Sequence, residues 1–326
     1  MAFAQAGDAS GEHIMTQERL LHTTNDSHTV AIHYWPSNVA APKGVVVWLH
    51  GMAEHGGRYG AFARYLNNRG WHLYCPDHRG HGESIGESCP KGHFSDRHGW
   101  KKVVNDAADV VDLARERHPG LPCVLGGHSM GSFIALAVAE TDTAESLAGL
   151  VLCGSDYHPA MYYNLMQLPI QLARLRNGGR GSSPLIRKMT FGAWAGQVPE
   201  PTTDFDWLST EPTEVNAYIE DPLCGFDCST ETWLQLVQGL RQVHSVASLS
   251  ELPEALPVLL LGGEADPMSN MGKGMMALEN VLHAMEQPVK AHFWPEGRHE
   301  ILNDQCRDDV HQAVGEWLER LEGLGS

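Results

Sequence analysis

A chain of 326 residues and 35.8 kDa, 42% hydrophobic and 19% charged, is large enough to bury its own core, as one domain or as a domain carrying an insertion. Its formal charge of -17 at pH 7 offers no clustered cations to a phosphate backbone and argues against a nucleic-acid partner. Residues 1–15 lack the basic start and apolar run of a secretory signal, no apolar stretch approaches the roughly 20 residues of a membrane span, and seven scattered cysteines read as the reduced thiols of a cytoplasmic protein.

Residues 19–23 and 29–35 flank Asn25-Asp26-Ser27 and predict an antiparallel hairpin at a sheet edge. Short apolar runs bounded by turn residues follow at 45–50, 71–76, 121–127, 147–153, 257–263 and 289–294, and read as strands buried on both faces. Helical patterns lie between them, at 59–68 closed by Gly70 and at 101–118, where Val103, Ala107, Val110, Val111 and Ala114 share one stripe. Strand-helix alternation of this kind builds a mostly parallel α/β sheet.

From 156 to 250 the alternation stops in a long, Pro-rich, helix-flavoured stretch. It reads as a mainly helical cap, 156–250, inserted into a sheet domain made of 1–155 and 251–326. Arg174, Arg176, Arg180, Arg187 and Lys188 crowd its first half, whereas acids dominate 200–240. Residues 161–175, rich in Met, Tyr, Leu and Ile, suit either of two roles: packing the cap onto the core, or lining an apolar channel and touching a lipid surface. Cys224 and Cys228 have no second Cys/His pair at zinc spacing and read as ordinary thiols, so no metal is expected, and no cofactor.

Gly127-His128-Ser129-Met130-Gly131 follows the 121–127 strand and precedes the helix-compatible run 133–140. A GxSxG turn between strand and helix presents its serine hydroxyl from a strained backbone, and flanking glycines admit the close chain approach. Serine is a weak nucleophile until a histidine, oriented by an acid, takes its proton. Asp266 and His299 each follow a strand, in the order Ser, acid, His. His283 and His311 fall in helical patterns and His292 inside a strand, which leaves His299 as the loop histidine; Asp156 and Glu264 are the rival acids. The oxyanion formed on attack needs N–H donors, expected from Met130 and from Met52 in the turn after 45–50. His50, Glu54, His55 and residues 77–84 read as loop braces.

His50-Gly51-Met52-Ala53-Glu54-His55, Asp77-His78-Arg79-Gly80-His81-Gly82-Glu83-Ser84, the Ser129 motif and Gly297-Arg298-His299-Glu300 together resemble the monoacylglycerol lipase and lysophospholipase branch of the α/β-hydrolases, over about residues 18–320. In the cap, Asp221-Pro222-Leu223-Cys224-Gly225-Phe226 is similar to bacterial lysophospholipase-type members. The resemblance implies an eight-stranded sheet with an inserted cap, the triad Ser129, Asp266 and His299, oxyanion donors at Met52 and Met130, and a lid over an acyl pocket. Ser132 departs from the second glycine of many relatives. The expected substrate is a small acyl ester with one chain, and the expected location is cytoplasmic with contact to lipid surfaces through the cap. Two other functions remain open at this point: a proline-iminopeptidase-like aminopeptidase, for which the acids of 200–231 would hold a free amino group, and an inactive binding protein on the same fold.

Overall fold

The computed structural model describes residues 17–322; the reading of residues 1–15 falls outside them. The described residues form eight strands: β1 (Glu18–Thr23), β2 (Thr29–Trp35), β3 (Gly44–Leu49), β4 (Trp71–Pro76), β5 (Cys123–His128), β6 (Gly149–Cys153), β7 (Val258–Gly263) and β8 (Val289–Trp294). They form one sheet in the order β1-β2-β4-β3-β5-β6-β7-β8. β1 and β2 are the expected edge hairpin and β2 pairs antiparallel with β4. All later pairings are parallel. The expected strand at 147–153 starts two residues late because Leu147 closes a turn by donating its N–H to the Ala144 carbonyl.

Helices α1 (Gly60–Asn67), α2 (Gly99–Arg117) and α3 (Met130–Ala139) join the first strands. Between β6 and β7 the chain makes α4 (Ala160–Asn177), α5 (Pro184–Met189), α6 (Phe191–Ala195), α7 (Pro212–Glu220), α8 (Thr230–Val243) and α9 (Val246–Leu249), with no strand. Helices α10 (Lys273–Ala284) and α11 (Arg307–Glu322) complete the chain. No helix among the described residues is long and apolar enough to cross a membrane.

The two faces of the sheet divide by strand alternation. Val45, Val47 and Leu49 of β3 pack against α2, α3 and the interhelical core that continues into the 160–252 region. Val46 and Trp48, pointing the other way, pack with Phe62 and Leu66 of α1 and with Val314, Trp317 and Leu318 of α11. β3 to β7 are buried at every residue, as a parallel sheet covered on both faces demands. β8 differs from the both-faces reading: it is half-buried throughout, because an edge strand has a neighbour on one side only.

Candidate active site

The carboxyl ends of β5, β7 and β8 meet at one point, and three loops deliver one side chain each. After β5, Ser129 is the residue before α3 and has φ 52° and ψ -121°, a strained backbone for a residue with a side chain. The turn is possible because its neighbours carry no Cβ: one on Gly127 would lie 2.3 Å from the Gly131 carbonyl oxygen, and one on Gly131 2.1 Å from that of Leu49. Ser132, the departure from the glycine pattern, is buried and uses its hydroxyl to donate to the Ser129 carbonyl at 2.6 Å.

The Ser129 hydroxyl donates to His299 Nε2 at 2.9 Å, and His299 Nδ1–H donates to Asp266 Oδ2 at 3.0 Å. Asp266 is 1% and His299 2% exposed, so the relay is shielded from competing water. The second Asp266 oxygen accepts the Met268 N–H at 2.8 Å, which fixes the carboxylate plane. Met52 and Met130, the expected oxyanion donors, both line the cavity in front of Ser129. The rival residues have other partners: Asp156 lines the same cavity but pairs with His158, Glu264 is exposed, His283 is exposed beside Glu279, His292 sits in β8, and His311 is buried against Phe62 and Tyr65.

Behind this relay lies a buried polar cluster only half visible in the sequence. Glu54 accepts the Gly51 N–H at 2.5 Å and the Tyr59 hydroxyl at 2.9 Å, with His128 Nδ1 at 3.3 Å. Arg58 donates to Glu54 at 2.6 Å and bidentately to Glu300 at 2.6 and 2.7 Å. His128 Nε2–H donates to the His299 carbonyl at 3.1 Å. Burial would discharge these groups, but the partners win. Arg58 and His128 hold Glu54 well below the usual carboxylate range, and Glu54 raises His128. One Arg–carboxylate knot therefore ties the turn bearing Met52 to the loop bearing His299. The spacing of Glu54 and Arg58 suits an i,i+4 pair, but nothing in the sequence links either to Glu300, more than 240 positions on.

The braces expected at 50–55 and 77–84 are present. His50 Nδ1–H donates to the Gly51 carbonyl and Nε2 accepts the His78 N–H at 2.9 Å. Asp77 accepts the N–H groups of Gly56 and Glu83, each at 2.8 Å. Among the described residues two groups of side chains have ligand atoms close enough for a metal, His33 with His55 and Asp77, and His55 with Asp221 and Cys224. Several of these donors have other partners: Asp77 accepts the two backbone N–H groups, and His55 Nε2 pairs with Asp221 at 2.9 Å. Burial also raises the Cys224 thiol, away from the thiolate a metal needs.

The cavity over Ser129 measures about 140 Å³ and its walls are mainly aromatic and aliphatic, including Phe133, Tyr163, Phe191, Trp194, Trp207 and Trp233. Trp207 stands 5.1 Å from the His299 ring.

Fold and site geometry together define an enzyme of the α/β-hydrolase class. Residues 40–306 match the hydrolase family model described as "Serine aminopeptidase, S33", and the chain belongs to that family. It is 30% identical to the monoacylglycerol lipase of Mycolicibacterium smegmatis, over 85% of this chain and 88% of that one. With the monoglyceride lipase of Homo sapiens it shares 28% identity, over 92% and 90% of the two chains. The structure of a thermostable carboxyl esterase from Bacillus coagulans superposes with a TM-score of 0.84 at 25% identity, covering 94% of this chain and 99% of that one.

Proposed function

We propose that the protein is a serine carboxylic-ester hydrolase acting on monoacylglycerols, lysophospholipids or similar single-chain acyl esters. The observation that carries this reading is the Ser129–His299–Asp266 hydrogen-bond chain on the floor of an apolar cavity. Ser129 Oγ attacks the ester carbonyl carbon while His299 Nε2 takes its proton; Asp266 keeps the imidazole in the accepting tautomer and stabilises the imidazolium. The backbone N–H groups of Met52 and Met130 receive the oxyanion, each worth about 10²- to 10³-fold in rate. His299 then protonates the departing alcohol, leaving an acyl-enzyme on Ser129. Water, deprotonated by the same histidine, releases the acid.

The relatives named monoacylglycerol and monoglyceride lipase support the substrate class, as do the greasy walls. The family description keeps the aminopeptidase alternative in view. Against it, no acid of 200–231 lines the cavity among the described residues. Four of those acids are engaged in ion pairs elsewhere: Glu231 with Arg174, Asp227 with Arg187, Asp221 with His55 and Glu214 with Arg307.

In this reading residues 156–250 form the cap on a core of 1–155 and 251–326, and the protein works in the cytoplasm at lipid surfaces. Helix α4 supports both roles proposed for 161–175. Tyr162, Tyr163 and Met166 face the cavity, while Met161, Leu165, Leu168, Leu172 and Leu175 are 61–83% exposed along one stripe, the form of a surface that rests on lipid.

The test is a substrate panel of p-nitrophenyl esters, monoacylglycerols, lysophospholipids and aminoacyl-arylamides, run on wild type and Ser129→Ala. Ester turnover lost in the variant, with labelling of Ser129 by a fluorophosphonate, is expected. Turnover surviving Ser129→Ala removes the mechanism; faster arylamide than ester cleavage installs the aminopeptidase; an unlabelled, inert wild type leaves a binding protein.

A further inference from the structure

The cavity wall contains an Asp–His pair for which the reaction has no use. Asp156, in the turn after β6, is 7% exposed. One of its oxygens accepts the Tyr157 N–H at 2.8 Å and the other lies 3.0 Å from His158 Nε2. The His158 ring stacks on Tyr162 with centroids 3.8 Å apart. All three side chains line the Ser129 cavity, beside the apolar Met166 and Met268.

Space has been made for this carboxylate. A Cβ on Gly274, in the first turn of α10, would lie 1.5 Å from Asp156 Oδ1, so the helix start is cut back to glycine where the acid enters. Burying the Asp156 carboxylate in an apolar wall costs desolvation that a leucine there would avoid. A carboxylate also has about four acceptor positions, and two are filled here. What remains is unfilled acceptor capacity on a side chain that lines the substrate cavity, pinned by His158 and by the backbone.

We infer that the Asp156–His158 pair is a hydrogen-bonding subsite for a hydroxyl group of the ester substrate, the hydroxyl donating to Asp156. The hydroxyl belongs either to a polyol leaving alcohol such as glycerol or to the acyl chain itself. The subsite rests on the reading of Ser129 as the ester-cleaving nucleophile.

The experiment measures kcat/KM for p-nitrophenyl decanoate, 1-monodecanoylglycerol and p-nitrophenyl 3-hydroxydecanoate with wild type, Asp156→Leu and the isosteric Asp156→Asn. The readout is each hydroxylated ester's kcat/KM divided by that of the plain ester. In Asp156→Leu that ratio is expected to fall about tenfold, the worth of one hydrogen bond to a charged group, with a smaller fall in Asp156→Asn. A fall confined to the glyceryl ester assigns the hydroxyl to the alcohol; one confined to the hydroxyacyl ester assigns it to the chain. Both ratios staying within about twofold of wild type, including a uniform loss on all three esters, overturns the subsite and makes the pair a hinge brace. A wild type inert on all three esters removes the Ser129 reading first, and the subsite with it.

Discussion

The two flanks of the 156–250 region are held by opposite means. On one flank it is strapped with buried polar bonds: the Tyr218 hydroxyl and the Gly225 N–H both donate to the Ala53 carbonyl, at 3.0 and 2.9 Å, and the Glu300 N–H donates to the Leu208 carbonyl at 2.6 Å. The Tyr218 ring covers Arg58 at 4.9 Å. These straps land on the turn of Met52 and on the loop of His299, so this flank shares their rigidity. On the other flank α4 is held by Tyr163 to His244 at 2.7 Å and by Arg174 to Glu231, and turns its leucine stripe outward. Polar burial gives precise placement, because an unmet partner is costly; an apolar exposed stripe gives a surface that can meet a variable, disordered partner. The strapped flank adjoins the Ser129 site through buried polar bonds, whereas α4 presents its exposed stripe to solvent.

Breaking the strapped flank has the largest expected effect. Arg58→Met leaves Glu54 and Glu300 as buried carboxylates without their cation and should cost about 3–5 kcal/mol of stability, read from urea denaturation, together with a fall in kcat. A loss below about 1 kcal/mol would mean that the knot behaves as a surface pair and that the two flanks are not different in kind.

Acid should act next, through the sheet domain and through the α4 flank. Among the histidines that burial depresses, His28, His72 and His311 fall to about 4, and His81 and His244 to about 3. Each is neutral when folded and charged when unfolded between its folded pKa and about 6.5. The unfolded state then binds more protons, so stability is intact above about pH 6.5 and falls as pH drops, by up to about 1.4 kcal/mol per group per unit. Thermal melts between pH 7.5 and 5 should show a steep loss of Tm. His244→Phe should flatten that slope through the α4 flank, and a melt insensitive to pH in this window would refute the buried-neutral assignment.

Glu140, at the end of α3 and outside both flanks, tests the same principle with the opposite sign. Burial and Glu251 push its carboxyl up to about 9, so its contribution is most favourable below about pH 4.5 and erodes as pH rises toward the folded pKa. Glu140→Gln should stabilise the protein by about 1–3 kcal/mol at pH 8 and by little at pH 5, in paired melts at the two values. Equal gains at both would assign the effect to packing.

The smallest effect on stability belongs to α4. Leu165→Glu, Leu168→Glu and Leu172→Glu should each change stability by less than about 0.5 kcal/mol, because the side chains are already in water. Combined, they should reduce sedimentation with phosphatidylcholine vesicles and hydrolysis of vesicle-borne monoacylglycerol, while soluble short-chain ester turnover holds. Unimpaired vesicle binding would end the lipid-surface role of this helix.

Much of the arrangement was legible from residue order. The strand runs were legible because a parallel sheet covered on both faces writes itself as continuous Val and Leu, and the turn at Ser129 because only glycine at 127 and 131 admits the chain crossing there. Asp266 and His299 could be singled out because loops after parallel strands converge on one edge of the sheet, where the structure brings them to Ser129. Helix α4 was harder: both readings of 161–175 were open, since Tyr163 and Leu165 look alike in composition, and only packing against α8 separates the inward from the outward face. In the basic run 174–188 the partners were likewise not legible: Arg174, Arg180 and Arg187 pair with Glu231, Asp96 and Asp227, each dozens of positions away.

The sequence by itself determined the periodic features: the sheet, the edge hairpin, the nucleophile turn and the order of its partners, because period and turn chemistry are local and repeat along the chain. The tertiary structure alone decided which acids share Arg58, how His128 reaches the His299 loop, where the cap is strapped, and that Asp156 opens into the cavity rather than onto His299. Each of these depends on contacts between residues dozens to hundreds of positions apart, and on which side chain is left without water, a quantity that exists only once the chain has closed around it.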